Sequence, residues 1–517
     1  MKSLRFKLPY LSLALLLAQT GCQRKAADQV KPVLSSTATK ASSDGLTDTA
    51  INAAVTKALE HDPGVDASKL HVKTTDGIVE LTGIAPHLLT KQRAARVAEA
   101  VRGVRAVSDR TSLDVEKRPD ASIADDLKNA LLTNAAADSY EISEKVSAGK
   151  VTLTGSVQSF QERDIAGRLA EGIRGVREVD NQIKVKTGVA RSDSEVRADV
   201  VSRLRWDTLV NDGRIDVAVH SGRVTLQGTV ASASEKRRAS VDAWVLGAAD
   251  VSDSGLKVDA SGAQQDTLKH QLFATAPADI ERAIRAAIAY DPRVSRADLQ
   301  VKVTDGRARL EGSVASVAAK LAAEDLARHT VGVTAVDNAL EVKPVKARTD
   351  AQIEQAVKSA LLWDPYTNTQ AIQVSVVAGK VSLSGKAHSH FERAQATDLA
   401  AAIEGVKDVD NVIVVDHPEV AYVFDPYLSP YGPFWVSWYA VPILPASPDA
   451  QIASAIHDEL VWDPFVDANH VQVDVKRGRA TLRGRVASQR ARTAATEEAY
   501  EGGAVAVDNR LTLSSGG

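Results

Sequence analysis

Arginines alternate along one predicted strand near the end of the chain, in a pattern that suits phosphate binding. Arg479, Arg483 and Arg485 share one face of that strand, because strand side chains point alternately to opposite faces. A guanidinium on a rigid strand can donate two hydrogen bonds to one phosphate. We therefore predict that the three arginines contact anionic lipid headgroups, with Lys476 and Arg477 beside them.

A second interpretation of the same row stays open. Exposed basic residues on a strand can simply be solvated and discourage pairing with other strands. Arg307 and Arg309 form a weaker version of the pattern earlier in the chain.

The only cysteine, Cys22, excludes an intrachain disulfide and a site built from several cysteines. It follows a basic start and the apolar stretch Leu8–Ala18, which is typical of a secretory signal and too short to span a bilayer. The Gly-Cys step resembles a bacterial lipoprotein cleavage site. We predict a signal peptide over 1–21, lipidation of Cys22 and a flexible tether over 22–45. The alternative is an ordinary secretory signal that leaves a free thiol.

Residues 417–446 combine many aromatic residues with many prolines, so a long helix or a central strand is disfavoured there. Three roles are open for this segment: packing between the neighbouring modules, contact with a membrane interface, or contact with a protein partner. The candidate membrane or partner contacts are Phe434, Trp435, Trp438 and Tyr439.

The sequence gives little support for metal binding, catalysis or nucleic-acid binding. His388 and His390 could hold a metal, but no further ligand completes a site, so we predict no metal and no cofactor. Nucleophile elbows, phosphate-binding loops and dinucleotide-binding glycine motifs are missing, and we predict no catalytic residues. A net charge of −3 argues against nucleic acid as a partner.

A repeated motif, G-x-x-x-L-x-G, organises the chain. Its first glycine lies in a predicted hairpin turn, as in Asp305-Gly306, where positive φ favours glycine. We expect the second glycine to end the strand where a helix approaches. The first glycines, to which we assign a structural role, are Gly77, Gly149, Gly222, Gly306, Gly379 and Gly478.

Each copy has the same order of elements. A helical pattern such as Ile353, Ala356 and Val357 comes first, two alternating strands follow, and a second helix precedes a third strand. The turn before that strand reads G-V-x-x-V-D-N in Gly175–Asn181. This order predicts an α+β fold of six tandem αββαβ modules, each a three-stranded sheet with two helices on one face.

We number these modules 1 to 6 in chain order. Linkers or spacers separate some of them, namely 261–276 before module 4 and 417–446 before module 6. The predicted bounds of the modules are 46–116, 121–187, 191–260, 277–345, 348–416 and 447–515.

The αββαβ order and the two glycine motifs together resemble the BON domain, a family of bacterial envelope modules. The resemblance implies a non-catalytic periplasmic or outer-membrane protein that binds phospholipid and supports the envelope under osmotic or other stress. We therefore expect a lipoprotein anchored to the outer membrane, facing the periplasm, with anionic phospholipid as its partner. The alternative is a periplasmic scaffold that docks envelope proteins. The sequence leaves the oligomeric state open.

Overall fold

A computed structural model describes residues 47–62, 64–136, 142–186, 191–259, 276–289, 291, 293–294, 298–415, 449–463, 466–487, 489–504 and 506–513. Among the helices in these ranges, none has the length and hydropathy that a membrane span requires. The predicted signal peptide, Cys22, the tether, nearly all of linker 261–276 and spacer 417–446 with its four candidate aromatic contacts lie outside the described residues.

The predicted α+β fold of six αββαβ modules is confirmed. In each module, apolar residues of two helices and of alternate strand positions form one core. Module 1 contains α1 (Asp48–His61), β1 (Leu70–Thr75), β2 (Ile78–Ala85), α2 (Leu88–Ala100), β3 (Ala106–Asp109) and β4 (Ser112–Leu113). Module 2 contains α3 (Asp120–Thr133), β5 (Ile142–Ser147), β6 (Lys150–Val157), α4 (Phe160–Glu171), β7 (Glu178–Asn181) and β8 (Lys184–Val185). Module 3 contains α5 (Asp193–Trp206), β9 (Ile215–His220), β10 (Arg223–Val230), α6 (Ala233–Asp242) and β11 (Asp250–Val258).

The second half of the chain repeats this order. Module 4 contains α7 (Pro277–Ala289), β12 (Asp298–Thr304), β13 (Arg307–Val314), α8 (Val317–Arg328), β14 (Ala335–Asn338) and β15 (Glu341–Val342). Module 5 contains α9 (Asp350–Trp363), β16 (Ile372–Val377), β17 (Lys380–Ala387), α10 (His390–Ala401), β18 (Asp408–Asn411) and β19 (Val414–Val415). Module 6 contains α11 (Asp449–Trp462), β20 (Val471–Lys476), β21 (Arg479–Val486), α12 (Gln489–Glu501) and β22 (Ala506–Leu513).

The second strand is central in every sheet. It pairs antiparallel with the first strand and parallel with the third. In modules 1, 2, 4 and 5 the third strand is divided into two short pieces, which both pair with the central strand. The asparagine of the V-D-N motif lies at this division: Asn411 Nδ2 donates to Arg393 O of α10 (2.8 Å), and Ile413 N donates to Asn411 Oδ1 (3.0 Å). The motif therefore ties the third strand to the second helix.

The hairpin turn is held by a carboxylate from the first helix. In module 1, Asp76 and Gly77 have φ of 51° and 70°. Their backbone N–H groups donate to the two carboxylate oxygens of Asp48, each at 2.8 Å. Asp120, Asp193, Asp350 and Asp449 make the equivalent pair of bonds in four other modules.

The second glycine of the motif does not end the strand, so that expectation was wrong. Gly83 lies inside β2 and pairs with Leu70 of β1. A Cβ placed on Gly83 would lie 2.1 Å from the carbonyl oxygen of Lys69, so this glycine is required by the backbone that leads into β1 and not by the second helix of the module.

The modules associate in pairs within the compact unit Asp44–Gly517. Modules 2 and 5 share one hydrophobic core, and three backbone bonds join them: Ala135 N to Ala402 O (3.0 Å), Glu404 N to Thr133 O (2.9 Å) and Arg174 N to Trp363 O (2.9 Å). We call this pair 2/5. Each bond connects the end of a first helix to the end of the partner's second helix.

Modules 3 and 4 form pair 3/4 in the same way. Thr208 N donates to His329 O (3.0 Å), and Val331 N donates to Trp206 O (2.9 Å). Modules 1 and 6 form pair 1/6, in which Lys57 makes a salt bridge to Glu459 and Trp462 packs against the core of module 1. Further contacts cross between pairs, such as the stacked rings of Phe160 and Trp244 (4.5 Å).

Candidate functional site

The sheet face opposite the helices of module 6 carries a row of exposed cations. Alternation along β21 buries Ala480, Leu482 and Val486 and leaves the predicted arginines exposed. Register extends the row to both neighbouring strands, because Lys476 lies opposite Arg479 and Arg510 lies beside Arg483. We call this surface the basic face and define it by Lys476, Arg479, Arg483, Arg485 and Arg510.

The three arginines of β21 make no salt bridge within the part of the chain that the structure describes. Arg510 contacts Asp508 at 2.6 Å, and Lys476 contacts Asp474 at 3.4 Å. A hydrogen bond from Arg510, together with the nearby charges of Arg479 and Arg483, lowers the pKa of Asp508. Five cations therefore face two carboxylates on this sheet surface, and positive charge is in excess.

The equivalent face of module 4 differs, although its sequence looks similar. Arg309 Nε contacts Glu311 Oε1 (2.5 Å) on its own strand, and Arg309 Nη1 contacts Asp337 Oδ2 (2.6 Å) on the third strand. These carboxylates raise the pKa of Arg309 and occupy its donors. Glu311 takes the position that Arg483 occupies in module 6, so the module 4 row is internally neutralised.

The structure places the other predicted headgroup contacts as follows. Lys476 lies on the basic face, at the end of β20. Arg477 lies in the hairpin turn with φ of 52°, and its backbone N–H donates to Asp449 Oδ2 (2.7 Å).

Arg510 was missed by the sequence analysis. Extending the alternation of β22 across the sheet could have found it, since it follows the V-D-N motif directly.

The two histidines weighed as metal ligands, His388 and His390, lie just before and at the start of α10. The backbone N–H of His388 donates to Glu392 Oε2 (2.8 Å), while the other carboxylate oxygen of Glu392 accepts from Asn368 N (2.7 Å). Across the described ranges, no group of three or more His, Cys, Asp or Glu side chains could hold a metal ion. Glu392 thus supports a loop of module 5.

A buried charge cluster lies where modules 3 and 4 meet. Arg238 contacts Asp207 at 2.6 Å, and Arg203 contacts Asp242 at 3.1 Å. Burial, with the charge of Asp207, raises the pKa of Asp242 to about 7. The adjoining pocket of about 50 Å³ has room for a few water molecules. Acids and bases are matched within this cluster, so it is best understood as part of the interface.

Comparison with known proteins agrees with the repeat structure. The profile of the BON domain matches residues 47–114, 119–187, 192–260, 277–344, 349–417 and 448–515, which is more than half of the chain. The chain belongs to the BON domain family. A curated BON relative is the osmotically-inducible protein Y of Escherichia coli strain K12, which is 30% identical over 146 residues, or 27% of this chain and 73% of the relative.

Two solved structures are similar to parts of this BON protein. One comes from structural studies of CdsD, a structural protein of the type III secretion system of Chlamydia trachomatis; it is 18% identical, with 46% of this chain and 92% of that chain covered. The other, the C-terminal domain of the same protein, is 17% identical, with 46% and 100% covered. Both TM-scores are 0.12, and we draw no argument from them.

Proposed function

We propose that this chain is a non-catalytic envelope protein that binds anionic phospholipid through the basic face of module 6. In this proposal Cys22 is lipidated and anchors the chain to the outer membrane, facing the periplasm. The chain supports envelope integrity under osmotic stress, in keeping with the name of its Escherichia coli relative.

The observation that carries the lipid proposal is the set of exposed arginines on β21, which make no salt bridge to any described residue. Alternate residues of a strand are about 7 Å apart, so Arg483 and Arg485 can contact adjacent headgroup phosphates. Each basic side chain near an anionic membrane contributes about 1 kcal/mol. The face is a surface and not a pocket, which suits a lipid headgroup layer better than a small soluble substrate.

The test is flotation of residues 44–517 with vesicles, because this unit lacks Cys22 and reports protein contacts alone. Vesicles of phosphatidylcholine with phosphatidylglycerol are compared with phosphatidylcholine alone, at low and moderate salt. We expect flotation with the anionic vesicles that weakens as salt rises, since exposed charges are screened. Arg483→Ala with Arg485→Ala should reduce binding by about tenfold or more, because two contacts are removed.

The matched control is Arg307→Ala with Arg309→Ala, which removes the same charge from the open face of module 4. Because Arg309 is already engaged by Glu311 and Asp337, this variant should bind within about twofold of wild type. Equal losses in both variants would mean that net charge alone drives binding. Failure to float with either vesicle would refute the lipid proposal and favour the periplasmic scaffold that docks envelope proteins.

A further inference from the structure

Within the described residues, pair 1/6 has none of the backbone bonds that join the other two pairs. In pair 2/5, Ala135 N donates to the end of α10, and in pair 3/4 Thr208 N donates to the end of α8. The equivalent residues of modules 1 and 6 are Pro63 and Pro464, and proline has no N–H to donate.

The other two backbone N–H groups that cross pair 2/5 also have counterparts in pair 1/6, and neither counterpart donates to the partner module. Glu404 N and Arg174 N cross pair 2/5, and their counterparts in modules 1 and 6 are Arg102 and Gly502. Gly502 N donates within its own module, to Glu498 O (2.9 Å). Among the described residues, no backbone–backbone hydrogen bond connects module 1 to module 6.

Side chains hold pair 1/6 instead. Lys57 contacts Glu459, with side chains 42% and 13% exposed. Arg102 Nη1 reaches Val461 O at 3.4 Å, a long hydrogen bond, while Arg102 Nε is buried and has no hydrogen-bond partner among the described residues. Trp462 is half-buried against module 1. Partly exposed ion pairs and long hydrogen bonds stabilise little, so this pair is the weakest of the three.

The chain between modules 5 and 6 is long enough for module 6 to reach another molecule. Residues 416–448 can span on the order of 100 Å when extended. The same surface of module 1 that accepts module 6 within the chain is therefore equally suited to module 6 of a second copy, since the contacts are identical in both cases.

We propose that module 6 exchanges between chains, so that module 6 of one copy docks on module 1 of a second copy and both pairs are restored in a reciprocal dimer. The exchange converts an internal pair into a concentration-dependent link between chains. Pairs 2/5 and 3/4 stay within each chain because backbone bonds hold both of them, and pair 2/5 also shares one hydrophobic core.

Opposite charge reversals test this proposal. Lys57→Glu and Glu459→Lys are made in separate chains of residues 44–517, so that each chain alone places like charges across pair 1/6. In a one-to-one mixture, only a reciprocal dimer of the two different chains places opposite charges at positions 57 and 459 in both of its pairs. Sedimentation velocity should show a dimer fraction about tenfold higher in the mixture than in either chain alone.

A second measurement detects proximity without relying on the energy of one ion pair. Chains with Lys57→Cys and chains with Glu459→Cys are mixed and oxidised, and disulfide-linked heterodimers are expected. The control uses the ion pair between Glu99 of module 1 and Arg237 of module 3 (2.6 Å), with the same reversal and cysteine designs. No heterodimer is expected there. A monomeric charge-reversal mixture without heterodimeric disulfides, or equal exchange in the control, would overturn the proposal.

Discussion

Pair 2/5 and pair 1/6 use the same module faces but are held together differently. In pair 2/5, Arg174 Nε donates to Asp364 O (3.0 Å) and its Nη2 to Thr367 O (2.5 Å), beside the three backbone bonds and the shared core. In pair 1/6, the counterpart Arg102 makes one long hydrogen bond. Homologous faces therefore form a more or a less stable interface according to how many of their buried polar groups are hydrogen-bonded across it.

The largest expected difference concerns a tryptophan at the same position in modules 5 and 6. Trp363 is 5% exposed within the shared core of pair 2/5, whereas Trp462 is half-buried against module 1. Trp363→Ala should lower the free energy of unfolding by about 3–5 kcal/mol, as other large core truncations do. Trp462→Ala should cost about 1–3 kcal/mol. Guanidinium denaturation measures both, and equal costs would remove the distinction between the pairs.

The second expected effect is a pH dependence in pair 2/5. Burial raises the pKa of Asp364 to about 6. The hydrogen bonds that its carboxylate accepts from Gln395 and Tyr366 lower the pKa, but by less than burial raises it. Because the folded pKa lies above the unfolded value, the folded state binds the proton more tightly. Stability is therefore fully present below about pH 4 and is lost as pH rises through about 6, by about 3 kcal/mol.

Asp364→Asn should remove this dependence, since the amide is neutral throughout and Gln395 can rotate its own amide to donate or accept. Unfolding free energies of wild type and variant, measured from pH 4 to 8, provide the comparison. A wild-type curve that stays parallel to the variant's across that range would show that Asp364 does not titrate as described.

The smallest expected effect converts one element of pair 2/5 into its counterpart in pair 1/6. Ala135→Pro removes the donor of the bond to Ala402 O, and the extended backbone of Asn134 (φ −76°, ψ 128°) accepts a following proline. We expect a loss of about 0.5–1.5 kcal/mol in unfolding free energy. Hydrogen exchange at Glu404 N, which bonds to Thr133 O, should become faster. Unchanged exchange there would mean that this bond does not hold the pair.

Local patterns in the sequence were sufficient to predict the modules. Helical spacing, strand alternation and the hairpin glycines depend on neighbours a few residues away, and Ser192-x-x-Glu195 forms the predicted capping box at α5. The same locality explains the failures. The role of Gly83 depends on the carbonyl of Lys69 across the sheet, and the membership of Arg510 in the basic face depends on strand register.

The order of residues alone was enough to predict six αββαβ modules and the strand face on which Arg479, Arg483 and Arg485 lie, because helix and strand periodicity depend only on that order. The arrangement in space was needed to show which arginines form salt bridges with described carboxylates and which modules pair. Arg309 is neutralised by Asp337 from a distant strand, and the backbone bonds of Ala135 and Thr208 join modules far apart in the chain. Charge compensation and module pairing depend on distances in space, which a single sequence does not specify.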